Sequence, residues 1–200
     1  MQETIFYWQG GSTEGIYSGE CETLGSPGEV ESPSGMALEF DGRHDGILLG
    51  INPLAGLEQF TVEVLFCPYP AGHHEQRFLH MGECHDDRML FETRVVDNNS
   101  WYLDTYLSVG GRDKTMMNKG FEHPLGQWYH AALTCDGSQL TNFVDGSPEL
   151  SCAFEFIPLT GGQTSIGMRQ NRVSWFKGAI STIRVAPVIL APKEFLTSRL

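Results

Sequence analysis

Residues 126–146 read GQWYHAALTCDGSQLTNFVDG, and this stretch decides the fold of the 200-residue chain. Apolar and β-favouring residues fill Trp128–Thr134 and Leu140–Val144, with an Asp136-Gly137-Ser138 turn between them. A second pair, Asp145-Gly146, closes the second run. Glycine adopts positive φ at little cost, and aspartate bonds back to nearby backbone N–H groups, so such pairs mark chain reversals between strands. The stretch therefore predicts a β-hairpin that turns again at its far end.

The same short-strand pattern extends in both directions. Upstream, strands are expected at Met36–Phe40, Gly46–Leu49, Phe60–Phe66 and Arg77–Met81. Two more follow at Met89–Val95 and Trp101–Leu107, and beyond the hairpin come Cys152–Phe156, Thr164–Gly167 and Gly178–Val185. Alternation sorts their faces, because strand side chains repeat every two residues. Phe60, Val62, Val64 and Phe66 share one face, opposite Thr61, Glu63 and Leu65. Met89, Phe91, Thr93 and Val95 turn inward and leave Leu90, Glu92 and Arg94 outside. Trp101, Leu103 and Leu107 oppose Tyr102, Asp104 and Tyr106. Residues 22–35, rich in Gly, Pro, Ser and Glu, read as a surface loop, and Pro192 suits the start of a helical turn at Ala191–Leu196. Many short strands without intervening helices predict an all-β fold, an antiparallel β-sandwich or jelly roll, as a single domain over residues 1–200.

Composition agrees and narrows the function classes. The 23 Gly and 10 Pro suit a turn-rich chain. A net charge of -12 repels nucleic acid and anionic lipid. No apolar run is long enough to span a bilayer. The N-terminal MQETIFYWQGG lacks a basic region followed by an apolar one, so no signal peptide is expected. The compartment stays open: extracytoplasmic if a leader was removed, cytoplasmic otherwise. Five cysteines, an odd number without tight spacing, do not suggest a disulfide framework. Cys135 and Cys152 fall on the first and third strands of a meander, about 9–10 Å apart and too far to bridge.

Several fragments share an order with one family. They are Ala37-Leu38-Glu39-Phe40-Asp41-Gly42, Phe60-Thr61-Val62-Glu63, Trp128-Tyr129-His130-Ala131 and Val144-Asp145-Gly146. Ser165-Ile166-Gly167, then Phe176-Lys177-Gly178-Ala179-Ile180, and the tail Leu190–Phe195 complete the series. Together, from Met36 to Phe195, they resemble the laminin-G-like branch of the concanavalin A-like lectin/glucanase superfamily. The resemblance implies two curved sheets, with carbohydrate bound on the concave face or its rim in many relatives, calcium bound in some, and protein partners in others. The fold does not choose among these.

With the faces assigned as above, Glu63, Glu92, Arg94, Tyr102, Asp104 and Tyr106 would line the concave sheet, with Trp175 at its rim. Aromatic rings stack on sugar faces, while carboxylates and guanidinium groups bond hydroxyls. The leading expectation is therefore a non-catalytic recognition module for a glycan. The plain alternative for this face is a solvated sheet with cross-strand ion pairs. No catalytic residue is assigned, because the Glu-x-Asp-x-x-Glu strand of laminarinase-type hydrolases is missing. Glu92-Thr93-Arg94 matches only part of the Arg-x-Glu-x-Arg strand of alginate-lyase relatives. An atypical glycosidase or polysaccharide lyase around Glu63, Glu92, Arg94 and His130 is the second reading, and a protein-interaction domain the third.

No metal site is assigned. The segment from His73-His74 through His80 to Glu83-Cys84-His85-Asp86-Asp87 has ligand-type residues but no closed-site spacing, and reads as polar loops. Structural calcium, which the resemblance allows, has Asp41, Asp45 and Asp136 as candidate donors. Ser181 stands where many relatives carry an acid.

Overall fold

The computed structural model describes residues 4–11 and 20–196. Among the described residues, sixteen strands form two antiparallel sheets, followed by one turn of 3-10 helix at Pro192–Glu194. In chain order the first eight are β1 (Phe6–Gln9), β2 (Cys21–Leu24), β3 (Gly28–Ser32), β4 (Gly35–Asp41), β5 (Gly46–Leu49), β6 (Phe60–Pro68), β7 (Glu75–Gly82) and β8 (Arg88–Val96). The rest are β9 (Ser100–Val109), β10 (Arg112–Met117), β11 (His123–Pro124), β12 (Tyr129–Cys135), β13 (Gln139–Val144), β14 (Ser147–Ala153), β15 (Gln163–Ile166) and β16 (Lys177–Ala186).

The first sheet runs β14-β13-β12-β6-β16-β4-β3, with β1 also pairing β16. The second runs β10-β9-β8-β7-β15-β5-β2, with β11 also pairing β9. Every expected strand exists. The hairpin is β12–β13, and Asp145-Gly146 joins β13 to β14 with both residues at positive φ (48° and 74°). That is the two-residue turn whose twist matches flanking strands. Leu140 pairs with both Cys135 and Cys152, which places those thiols two strands apart.

Three expectations are corrected. Residues 22–35 are not simply a loop: β2 and β3 fall largely within them, paired to β5 and β4. The strand placed at Cys152–Phe156 lies earlier, at Ser147–Ala153, because the tight turn starts the return strand at once. The expected helical turn shortens to three residues. Strands β1, β10 and β11 carry too little apolar alternation to announce themselves; β10, RDKTMM, is mostly exposed.

The inward faces meet in one core. Phe66 of the first sheet stacks on Phe78 of the second at 4.3 Å between ring centres, and Trp101 meets Phe66 and Tyr129 edge-on at 5.1 Å. Trp128, just before β12, is half-buried and packs beside Cys67 and Ala179. The outer face of the first sheet is closed by the chain after β16. Leu190 and Phe195 pack on Ala132 and Phe143, and Thr61 bonds Val188 O and Leu190 N. On the outer face of the second sheet, the loop between β15 and β16 lies beside β7, where Gln170 and Ser174 bond Gly82 and Arg77.

Candidate functional site

The strand register of the second sheet arranges its outer side chains in rows. Glu75, Arg94 and Tyr102 are cross-strand neighbours on β7, β8 and β9. The next row is Arg77, Glu92 and Asp104, and the next is His80, Leu90 and Tyr106. A bulge between Arg77 and Leu79 lets Phe78 and Leu79 both enter the core, so Arg77 and His80 both stay outside. Glu75 thus stands opposite Arg94 and Arg77 opposite Glu92, the favourable cross-strand arrangement, while Glu92 and Asp104 place like charges opposite each other.

Arg94 donates from Nε to Asp104 Oδ2 at 2.8 Å and from Nη2 to Glu92 Oε2 at 3.2 Å. Arg77 and Arg94 both pair with Glu75. Arg77 Nε stands 3.0 Å from Glu92 Oε1, an ion-pair distance, although its N–H is not directed at the oxygen. The Arg88 guanidinium lies over the Tyr106 ring, 4.9 Å from its centre, and donates to the backbone carbonyls of His85 and Asp86. Cation–π contact of this kind fixes the ring's tilt.

The fourth arginine comes from the loop. Gln170 donates its side-chain amide to Gly82 O (3.0 Å) and Gln163 O (2.8 Å), and Ser174 bonds both the backbone and the side chain of Arg77. Gln170 N also reaches His80 Nδ1 at 3.4 Å while His80 Nε2 bonds Glu83 O, which requires the neutral ring with its proton on Nε2. These bonds hold Arg169 beside the β8 arginines. The result is a cleft of about 240 Å³ between Arg77, Arg88, Arg169 and Arg94 on its cationic side, Glu92 and Asp104 on its floor, and Leu90, Tyr106 and Thr115.

Burial shapes the charges. It pushes Glu92 up to about 7, with the nearby Asp104 carboxylate adding to the shift against the pull of Arg77 and Arg94. Asp104 is also raised, by burial first. Burial acts upward on Glu75 too, but its bonds to Arg77 and Arg94 win and hold it low. His80 is lowered to about 4, chiefly by burial. Buried Nε of Arg88, Nε of Arg169 and Oδ1 of Asp104 have no protein hydrogen-bond partner.

Of the seven residues expected to bind ligand, Glu92, Arg94, Asp104 and Tyr106 line this cleft, and Tyr102 stands beside Arg94. Glu63 does not join them. It lies on β6 of the other sheet, fully buried, where it accepts from Leu196 N at 2.8 Å, bonds His130 Nε2 at 2.9 Å and pairs with Arg184. The alternation was right, but it could not tell which sheet owned the strand. Trp175 sits half-buried after Ser174, at the base of the loop that carries Arg169, and does not line the cleft. Sequence reasoning missed Arg77, Arg88 and Arg169. Arg88 shares the parity of Glu92 and Arg94, so the run Arg88-x-Leu90-x-Glu92-x-Arg94 contained it. The bulge disguised Arg77, and only tertiary folding brings Arg169 in.

The candidate calcium donors are engaged otherwise. Asp41 Oδ1 accepts the N–H groups of Arg43, His44 and Asp45, and against a burial effect in the other direction these bonds lower Asp41 to about 2. Asp45 accepts Ser26 N and Asp41 N, and Asp136 accepts Ser138 N and Gln139 N. Among the described residues no three His, Cys, Asp or Glu gather around one point. His74 Nδ1 bonds Val95 O, a loop contact like that of His80.

A laminin-G-type family model, described as the concanavalin A-like lectin/glucanases superfamily, matches residues 41–194. Among solved structures, the chain is similar to domain 4 of AbnA, a GH43 extracellular arabinanase from Geobacillus stearothermophilus, in complex with arabinotriose. The TM-score is 0.71 at 18% identity, over 99% of this chain and 98% of that one. The receptor binding domain of botulinum neurotoxin D aligns with TM-score 0.71 at 12% identity, over 98% of this chain and 52% of that one. The botulinum neurotoxin serotype G binding domain gives 0.71 at 10%, over 96% and 49%. The chain spans about half the length of these toxin domains. At such identities the likeness is one of fold. No curated protein matches the chain.

Proposed function

The chain belongs to the laminin-G-like family of the concanavalin A-like lectin/glucanases superfamily, and from that premise we propose that it is a saccharide-recognition module that binds without turnover on the outer face of β7–β10. The observation that carries this reading is the Arg77–Arg94–Asp104 cleft: a recess roofed by one loop, with polar atoms buried and left without protein partners. An unpartnered buried polar group costs free energy on the order of 1–3 kcal/mol unless something meets it. Hydroxyls match Asp104 Oδ1, and the Tyr106 ring offers a stacking surface. A fold neighbour that holds arabinotriose lends support at the level of fold.

Titration calorimetry with a panel of neutral and acidic oligosaccharides tests the reading. Binding should weaken by about tenfold or more in Asp104→Asn and Tyr106→Ala, given the worth of charged hydrogen bonds and ring stacking. Lys193→Ala, in the 3-10 turn that packs against the opposite sheet, should leave it unchanged. Silence across the panel would exclude the proposal.

One observation favours a second reading. Glu92 in a cleft with an ionisation near 7 is poised as a general acid or base would be. Against it, the Glu92 oxygens stand within ion-pair distance of Arg77 and Arg94. Turnover of a bound oligosaccharide that disappears in Glu92→Gln would favour the enzyme; binding with no products favours the module.

A further inference from the structure

We infer that the saccharide held in this cleft carries a carboxylate, as a uronic acid does, and that Arg169 and Arg88 receive it while Asp104 takes a neighbouring hydroxyl. The inference rests on reading the face as a saccharide site. Its ground is an imbalance of charge. Four guanidinium groups and only two carboxylates line the cleft, in a chain whose net charge is -12. Arg77 and Arg94 have Glu75 and Glu92 as partners, and Arg94 also has Asp104. Arg88 and Arg169 have no carboxylate partner among the described residues, although each has a buried Nε lacking any protein acceptor. Burial, and then the closeness of Arg88 and Arg77, shifts Arg169 below the usual guanidinium range, so the fold holds like charges together there. Such an arrangement is unfavourable until an anion enters it.

The shape of the site narrows the anion. Guanidinium groups present planar forks that match the two oxygens of a carboxylate. Asp104 Oδ1, buried and unpartnered on the floor, requires a donor, which a hydroxyl supplies and a bare anion does not. A recess of about 240 Å³ is smaller than sites for drug-sized ligands, so it suits one sugar ring rather than a buried oligomer. Carboxylate and hydroxyl on one ring describe a uronate.

The test compares oligogalacturonate, oligoglucuronate and oligomannuronate with the same oligomers after carboxyl reduction, and with sulfated neutral oligomers, by titration calorimetry on the whole chain. At least one uronate should bind about tenfold or more tighter than its reduced form, the expected worth of charge-assisted bonds. Arg169→Gln should close that gap, and Arg169→Lys should keep part of it; thermal melting shows that both variants fold. A uronate and its reduced form binding equally would overturn the carboxylate while leaving the saccharide site intact. Tighter binding of the sulfated oligomers than of any uronate would overturn it likewise, as would a gap that survives Arg169→Gln. Binding of no saccharide of either kind would remove the underlying reading, and this inference with it.

Discussion

Glu92 is the residue on which the face turns. It faces Arg77, Arg94 and Asp104, with Glu75 beyond them, and burial raises it to about 7. A bound anion nearby would hold its proton more firmly, so binding takes up protons. Affinity for an acidic saccharide should therefore rise as pH falls from 8 to 6, and calorimetry in buffers of different ionisation enthalpy should detect the uptake. In Glu92→Gln the pH dependence over that range should flatten. Glu92 and His80 also oppose each other in stability. The raised acid stabilises most below its ordinary value of 4.5 and loses this as pH rises through about 7. The depressed His80 stabilises above its ordinary 6.5 and loses this as pH falls through about 4. Removing Glu92 leaves His80 unopposed, so Glu92→Gln should lose stability more steeply than the parent between pH 7 and 5 in denaturant titrations. Equal slopes would contradict the shifts. Four of the cleft residues were legible in the sequence because alternation on β8 and β9 is undisturbed. Arg77 was not, since one inserted residue at Phe78 reverses the parity that alternation relies on.

At the scale of elements, glycine and aspartate set the geometry that the apolar residues then bury. Gly162 sits at φ +99°, and a Cβ there would fall 2.1 Å from the backbone of Gly82. Neither the φ nor the backbone contact yields, so Gly162→Ala should destabilise by about 2 kcal/mol or more. A melting temperature within a degree of the parent would show that β15 can shift. Asp145 holds φ 48° and accepts His130 N at 2.8 Å, tying the β13–β14 turn back to β12. Asp145→Ala loses the acceptor and the residue type that tolerates this φ, and should cost about 1–2 kcal/mol, measurable by chemical denaturation. These turns were legible because Asp-Gly is a local signal. Strands β2, β3 and β10 were not: they are edge strands with exposed polar side chains, so no buried face imposes an apolar alternation on them.

Over the whole molecule the two sheets have different fates. The first is sealed on its outer side by residues 187–196, which bury the Glu63–His130 pair, and this pair is framework. The second keeps its outer face for the arginine cleft. Which sheet a strand joins is a property of the folded topology, and for that reason Glu63 looked equivalent to Glu92 along the chain. The sandwich core depends on contacts across the sheets, with Phe66 at their centre; Phe66→Ala should cost about 3–5 kcal/mol in denaturant titration. The central claim, that saccharide is recognised on the open sheet, is tested most directly by mapping backbone amide chemical shifts as an oligosaccharide that binds is titrated in. The account predicts shifts concentrated at residues 88–94, 102–108 and 169–174. Shifts concentrated on β12–β14 and residues 187–196, or none with any saccharide tried, would contradict it.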